Sequence, residues 1–157
     1  MVVVAIIAVL ALVVVPSFMR ESRKTKSQTE VQPMFTELAN REQQYKQENG
    51  SYLAAAACPT TPSKSLQDIS SCTAASTPWN TLRVVPHEMK LRCRYTVTIG
   101  AAGSTPAAPA FVSPVPTSQA ESWFFLLAEC DANGNGTYAQ FFQSSWDARI
   151  QSSNEAE

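Results

Sequence analysis

The side chains with the most evident chemistry in this sequence are four cysteines: Cys58, Cys72, Cys93 and Cys130. No Cys-x-x-Cys pair is present and the only histidine is His87, so the spacing favours two disulfides over a zinc site. Of the three pairings that four cysteines allow, we favour Cys58 with Cys72, which closes a loop, and Cys93 with Cys130, which links the predicted sheet. Disulfides are typical of an oxidising compartment.

A second motif, Asp131-Ala-Asn133-Gly-Asn135-Gly136, matches the opening of a calcium-binding loop, in which oxygen ligands alternate around a turn. The carboxylate that such a loop needs at its twelfth position is missing, because Phe142 stands there. Asn and Gly are equally typical of hairpin turns. We therefore expect a plain turn with no cofactor, and we keep calcium at Asp131, Asn133 and Asn135 as the weaker alternative.

No arrangement of residues supports catalysis. His87 has no evident partner for general acid or base chemistry, and the serines and cysteines lie in no hydrolase motif. A phosphate-binding loop is also absent from the sequence. The net charge of −1 excludes a nucleic-acid binder that depends on bulk positive charge. We predict that the protein is not an enzyme.

The elements that must position these residues begin with an apolar segment. Residues 1–15 are apolar without interruption, and all 25 charged residues lie at or after Arg20. At about 1.5 Å per residue, 15 to 19 helical residues span roughly 22 to 28 Å, slightly less than a bilayer core of about 30 Å. The basic head of a secretory signal peptide does not precede the apolar segment. The segment predicts a membrane helix, with a buried core helix or strand as the alternative.

A charged stretch from Arg20 to Asn49 continues this helix. It holds six Lys or Arg residues and five Glu residues, with no glycine before Gly50. Apolar side chains recur in it at helical spacing: Val31, Phe35, Leu38 and Tyr45. Asn49-Gly50 is a good carboxy-terminal cap, so we predict one helix from about residue 1 to residue 49. Its apolar half defines a segment over residues 1–29, and its amphipathic half belongs to a globular domain over residues 30–157.

The remainder predicts an antiparallel sheet of three or four strands at about residues 82–145. Residues 91–99 alternate strictly, and two further apolar strands at 122–130 and 137–143 flank the Asp131 turn. Residues 50–80 and the proline-rich residues 100–118 are predicted loops. The fold class is therefore α+β, with the sheet packed against the apolar stripe of the long helix. Aromatic residues supply most of the predicted core: Trp79, Trp123, Phe124, Phe125, Phe141 and Phe142.

The amino-terminal run from Met1 through Pro16 and Phe18 resembles the later part of the type IV pilin motif, which is shared with the related pseudopilins. In that motif the sequence Phe-Thr-Leu-Ile-Glu-Leu precedes an apolar stretch and a proline. We expect this chain to start just after the Glu-Leu pair, so no residue here is assigned to the leader, the methylated amino terminus or the buried glutamate. The strong match covers about 18 residues, and the helix-plus-sheet plan agrees with the family more loosely.

The resemblance implies a structural subunit of a type IV pilus that serves adhesion, motility or DNA uptake. Its partners would be copies of itself and other pilins in a helical polymer, the pilus assembly platform, and surfaces or other cells. It would be held in the inner membrane by a single-pass helix before assembly and would then join an extracellular filament. The assembly helix would use these residues: Val2, Ile6, Leu10, Val13, Val14, Pro16 and Phe18.

Charged residues just beyond the apolar segment are our candidates for ion pairs between subunits: Arg20, Glu21, Arg23, Lys24 and Glu30. Two alternatives remain open at this point. One is a pseudopilin of a type II secretion system, with the same fold acting as a short piston. The other is a bitopic protein with a periplasmic binding domain, in which the uncharged loop 100–118 contacts a partner.

Overall fold

One long helix, α1, dominates the molecule. The computed structural model describes the backbone of residues 2–155 and the side chains of residue 18, residues 21–86 and residues 88–155. Helix α1 spans Val2–Asn49, and its 48 residues correspond to about 72 Å at 1.5 Å per residue. It ends at Gly50, whose φ of +78° suits glycine and whose N–H donates to the carbonyl of Lys46 at 2.8 Å. The predicted helix and its end are confirmed.

The rest of the chain forms short strands and two short helical turns. The strands are β1 (Ala55–Cys58), β2 (Gln67–Asp68), β3 (Lys90–Leu91), β4 (Arg94–Gly100), β5 (Trp123–Cys130), β6 (Ala139–Ser144) and β7 (Gln151–Ser153). The helical turns are α2 (Pro78–Thr81) and a 3-10 turn (His87–Met89). The main sheet is antiparallel in the order β1-β4-β5-β6-β7, while β2 and β3 form a separate pair. The predicted α+β class is confirmed.

The main sheet has five strands where the sequence predicted three or four. Strand β1 lies in the segment that was predicted to be a loop, because a run of alanines carries little β propensity. It is held by its pairing with β4 and by Trp79, whose indole N–H donates to the carbonyl of Ala56 at 2.8 Å. Strand β7 is polar and lies beyond residue 145, where it pairs with β6. Tertiary contacts, rather than local pattern, create both edge strands.

The second half of α1 packs on one face of the sheet. Val31, Phe35 and Leu38 are fully buried there, and Tyr45 is partly buried against the same core. The rings of Phe35 and Tyr95 meet edge to face with their centroids 6.2 Å apart. The predicted apolar stripe is therefore the contact between helix and sheet.

The predicted aromatic core is buried but divides into two clusters. Trp79, Phe124 and Phe141 lie on the helix side, whereas the other three lie on the opposite face with Trp146. Neighbouring residues of a strand point to opposite faces, so each Phe-Phe pair contributes to both clusters. The loop predicted at residues 100–118 covers this second cluster with Phe111, Val112 and Val115.

One residue of the alternating strand departs from its predicted environment. Leu91, Cys93, Tyr95 and Val97 are buried as expected, but Ile99 is 36% exposed. Helix α1 has already ended at this level of the sheet, so Ile99 lines an open surface hollow beside residues 51 and 52 instead.

Candidate functional site

The charged residues that follow the apolar segment have different environments. Glu21 is exposed and Arg23 is half-buried, while the side chain of Arg20 lies outside the described residues. Lys24 forms an ion pair with Glu155 near the carboxy terminus, with nitrogen and oxygen 2.6 Å apart. Lys24, which was predicted to pair between subunits, therefore has a partner within its own chain.

Glu30 is the most heavily bonded of the predicted charges, and its contacts are within the chain. Its carboxylate accepts hydrogen bonds from the backbone N–H of Arg92 at 3.0 and 3.1 Å, and from that of Cys93 at 2.9 Å. The hydroxyl of Tyr95 donates to it at 3.2 Å, and the guanidinium of Arg92 lies 4.0 Å away. The structure thus places Glu30 at the junction between α1 and the start of β4.

At this junction, uncharged hydrogen-bond donors stabilise the Glu30 carboxylate. The Glu30 side chain is only 14% exposed, and two main-chain amides with a phenol replace the water that it loses. Burial, and then the adjacent Glu30 carboxylate, raise the pKa of Tyr95 well above its ordinary value. Tyr95 therefore stays a neutral donor, and the cluster ties α1 to the start of β4.

A second buried carboxyl group lies further along the same helix face. Glu42 is fully buried, and one of its oxygens accepts the backbone N–H of Leu53 at 3.0 Å. Its other oxygen has no hydrogen-bond partner in the described part of the chain. Burial raises the pKa of Glu42 to about 7, although the Leu53 hydrogen bond acts in the opposite direction.

Sequence reasoning did not identify either carboxyl group as buried. A signal was present, because Glu30, Met34, Leu38 and Glu42 follow one another at intervals of four, and such residues share one face of a helix. Met34 and Leu38 are buried on that face. A glutamate on an otherwise apolar stripe predicts either a partner on the packed element or a raised pKa, and the structure has one of each.

The Asp131 motif forms a hydrogen-bonded turn between β5 and β6. One oxygen of Asp131 accepts the backbone N–H of Gly134 at 2.7 Å and of Asn135 at 3.1 Å, and the other accepts that of Gly136 at 3.1 Å. Asn133 likewise accepts the Asn135 N–H at 2.8 Å. The side-chain oxygens that would bind the ion in a calcium loop therefore accept hydrogen bonds from the backbone N–H groups of this turn.

The twelfth position of the motif supplies no side-chain ligand. Phe142, at the twelfth position of the motif, is buried within β6 and carries no oxygen in its side chain. Within residues 2–155, apart from the side chains left undescribed, no three His, Cys, Asp or Glu residues are grouped so that they could hold a metal ion. The side chain of His87 lies outside the described residues.

The four cysteines form two disulfides, in the pairing that the sequence analysis favoured. Cys58 joins Cys72, which ties β1 to the turn after β2, with Cα atoms 5.9 Å apart. Cys93 joins Cys130 across the ends of β4 and β5, with Cα atoms 4.3 Å apart. The Cys93 amide also donates to Glu30, so this disulfide lies beside the helix junction.

The predicted assembly residues Val2, Ile6, Leu10, Val13, Val14 and Pro16 lie outside the residues whose side chains the structure describes. Phe18, the last of the set, is described and is 72% exposed. Among the described residues, no helix has the length and apolar character needed to cross a bilayer. No protein-family model, curated protein or solved structure matches this chain.

Proposed function

We propose that this chain is a structural subunit of a type IV pilus that assembles through its long amino-terminal helix. The observation that carries the proposal is the uneven distribution of buried side chains along α1. Among the described side chains of the helix, the buried ones begin at Ser27, whereas Phe18 is 72% exposed. Among the described side chains, those that the domain buries therefore lie on the second half of this 48-residue helix.

The apolar composition of residues 1–15 supports a second environment for the other half. Nine of these residues are β-branched and therefore stiff, which suits close packing against identical helices. Lipid and a bundle of apolar helices are both water-free, so the same surface is stable before and after assembly. The proposal accordingly places the subunit first in the inner membrane and then in an extracellular filament.

The domain has features that suit exposure outside the cell. Cys58–Cys72 ties β1 to the turn after β2, Cys93–Cys130 closes the end of the β4–β5 pairing, and no cysteine of the chain is left free. A disulfide contributes about 2 to 4 kcal/mol by restricting the unfolded chain. The sheet and its proline-rich loop would form the outer surface used in adhesion, motility or DNA uptake.

Charge reversal next to the apolar segment tests the proposal. In cells that make the protein, Arg23→Glu should lower the yield of sheared surface filaments severalfold, because like charges would meet in the filament. Lys64→Glu is the control, since Lys64 is an exposed lysine of the globular domain, away from the apolar segment, and it should leave the yield unchanged. Arg23→Glu filaments at full yield would argue against an assembly role for this turn.

The same cells separate the alternatives. A pseudopilin of type II secretion would leave no surface filament, and its deletion would abolish secretion of proteins across the outer membrane. A bitopic binding protein would remain an unpolymerised membrane protein. Either result would contradict the proposal.

A further inference from the structure

An open apolar groove runs between α1 and the segment that leads into β3. Its volume is about 380 Å³, and its apolar walls are Pro33, Met34, Val85, Pro86 and Leu91, with Thr29, Glu30, Glu37 and Lys90 completing the lining. Val85 is 70% exposed although it is an apolar residue, and it stands at the mouth of this groove. We call this feature the α1–β3 groove.

A large apolar side chain on the same helix, Phe18, is mostly exposed. Phe18 is 72% exposed, the highest value among the large hydrophobic residues whose side chains are described. Fifteen residues separate it from Pro33, which corresponds to about 22 Å along a helix that rises 1.5 Å per residue. The side chain and the groove therefore lie too far apart on one helix to meet within one molecule.

The charges around the two features are complementary. Residues 20–26, just after Phe18, carry four basic residues and one acidic residue, whereas the charged residues that line the groove are two glutamates, Glu30 and Glu37, and one lysine, Lys90. Glu37 lies on the groove wall with its side chain 40% exposed. A parallel helix that brought Phe18 to the groove would run its basic turn past Glu37.

We infer that the α1–β3 groove binds Phe18 of a second copy of this chain, with Arg23 of that copy near Glu37. The inference rests on the proposed function and names the contact that would repeat along the filament. Because the side chain and the groove are different surfaces of one molecule, the contact is head-to-tail and leaves a free groove and a free Phe18 at each end. Such a contact extends into an open polymer instead of closing into a dimer.

Cysteine cross-linking in assembled filaments tests the contact directly. In the full chain, Phe18→Cys combined with Val85→Cys adds two thiols to a protein whose own four cysteines are paired. Oxidation of sheared filaments should give a ladder of dimers, trimers and longer species on non-reducing gels, and reduction should collapse it to monomer. Phe18→Cys with Ile99→Cys is the control, since Ile99 is also exposed but lies at the other end of the sheet face.

The outcomes separate this contact from the filament itself. Filaments that give no ladder, or that give an equal ladder with the Ile99 control, would overturn the groove contact and leave the proposed function standing. An unsubstituted chain that forms no filament would overturn the proposed function and this contact with it.

A charge exchange provides an independent test if the thiol variants assemble poorly. Glu37→Arg should lower filament yield at least fivefold, and adding Arg23→Glu should restore at least half of the original yield. Since Glu37 also pairs with Arg41 at 2.8 Å, thermal unfolding of both variants is measured in parallel. Rescue by Arg23→Glu without recovery of thermal stability supports the contact, and failure of rescue at equal thermal stability overturns it.

Discussion

The carboxyl group of Glu42 accepts the backbone N–H of Leu53 at 3.0 Å and thereby joins the last turns of α1 to the segment that enters β1. Eleven residues separate the two along the chain, with the end of the helix between them. Burial of the carboxyl raises its pKa to about 7. Glu42 thus connects helix and sheet, and the free energy required to bury its carboxyl group depends on pH.

Stability should fall as the pH rises from about 4.5 to about 7. Glu42 has an ordinary pKa of 4.5 in the unfolded chain and about 7 in the folded one, so the folded state binds more protons across this interval. Glu42→Gln should remove this contribution and raise the free energy of unfolding by roughly 1 to 3 kcal/mol at pH 8, since one pKa unit equals about 1.4 kcal/mol. Urea unfolding of the full chain in detergent, followed by tryptophan fluorescence, measures it. Glu48→Gln, on an exposed position of the same helix, is the control, and parallel pH profiles for all three proteins would contradict the expectation.

Replacing Glu30 should have the opposite effect. Glu30→Gln removes the charge that binds the amides of Arg92 and Cys93 and turns an amide group toward donors. We expect a loss of roughly 2 to 4 kcal/mol in the free energy of unfolding at pH 7. Glu21→Gln should change it by less than about 0.5 kcal/mol, because Glu21 is exposed. Equal effects of the two changes in thermal unfolding would show that the junction contributes nothing.

The sequence allowed the regular elements to be predicted where local chemistry determines them. The helix ends where Gly50 supplies a positive φ, and the aromatic runs of β5 and β6 form central strands. Strands β1 and β7 were missed because alanine and polar residues acquire strand structure only from their neighbours, here β4 and β6. The two buried carboxyl groups share a helix face with buried Met34 and Leu38, but this spacing does not identify the backbone amides that bind them, because those amides belong to segments far along the chain or beyond the helix end.

The close packing of the Trp123 ring on Gly100 predicts that one added methyl group at Gly100 will lower stability. Gly100 pairs with Trp123, and a Cβ at Gly100 would lie 2.1 Å from the indole ring. Gly100→Ala should therefore destabilise the protein by roughly 1 to 3 kcal/mol, as overpacking does. Combining it with Trp123→Phe should recover part of that loss, which a double-mutant cycle of melting experiments detects. Additive effects of the two changes would contradict the clash.

The Asp131 turn should be stabilised by its own amides. Asp131→Ala removes the acceptor of three backbone N–H groups and should lower stability by roughly 1 to 3 kcal/mol. The unsubstituted protein should melt at the same temperature with calcium and with chelator. A calcium-dependent rise in melting temperature that Asp131→Ala abolishes would instead favour the calcium site.

Immunogold electron microscopy of the sheared surface fraction tests the central claim most directly. An antibody against the globular domain should label filaments repeatedly along their length, and a strain that lacks the protein should have neither label nor filament. Label confined to the cell envelope, with no filament in the sheared fraction, would contradict the assignment of this chain as a filament subunit.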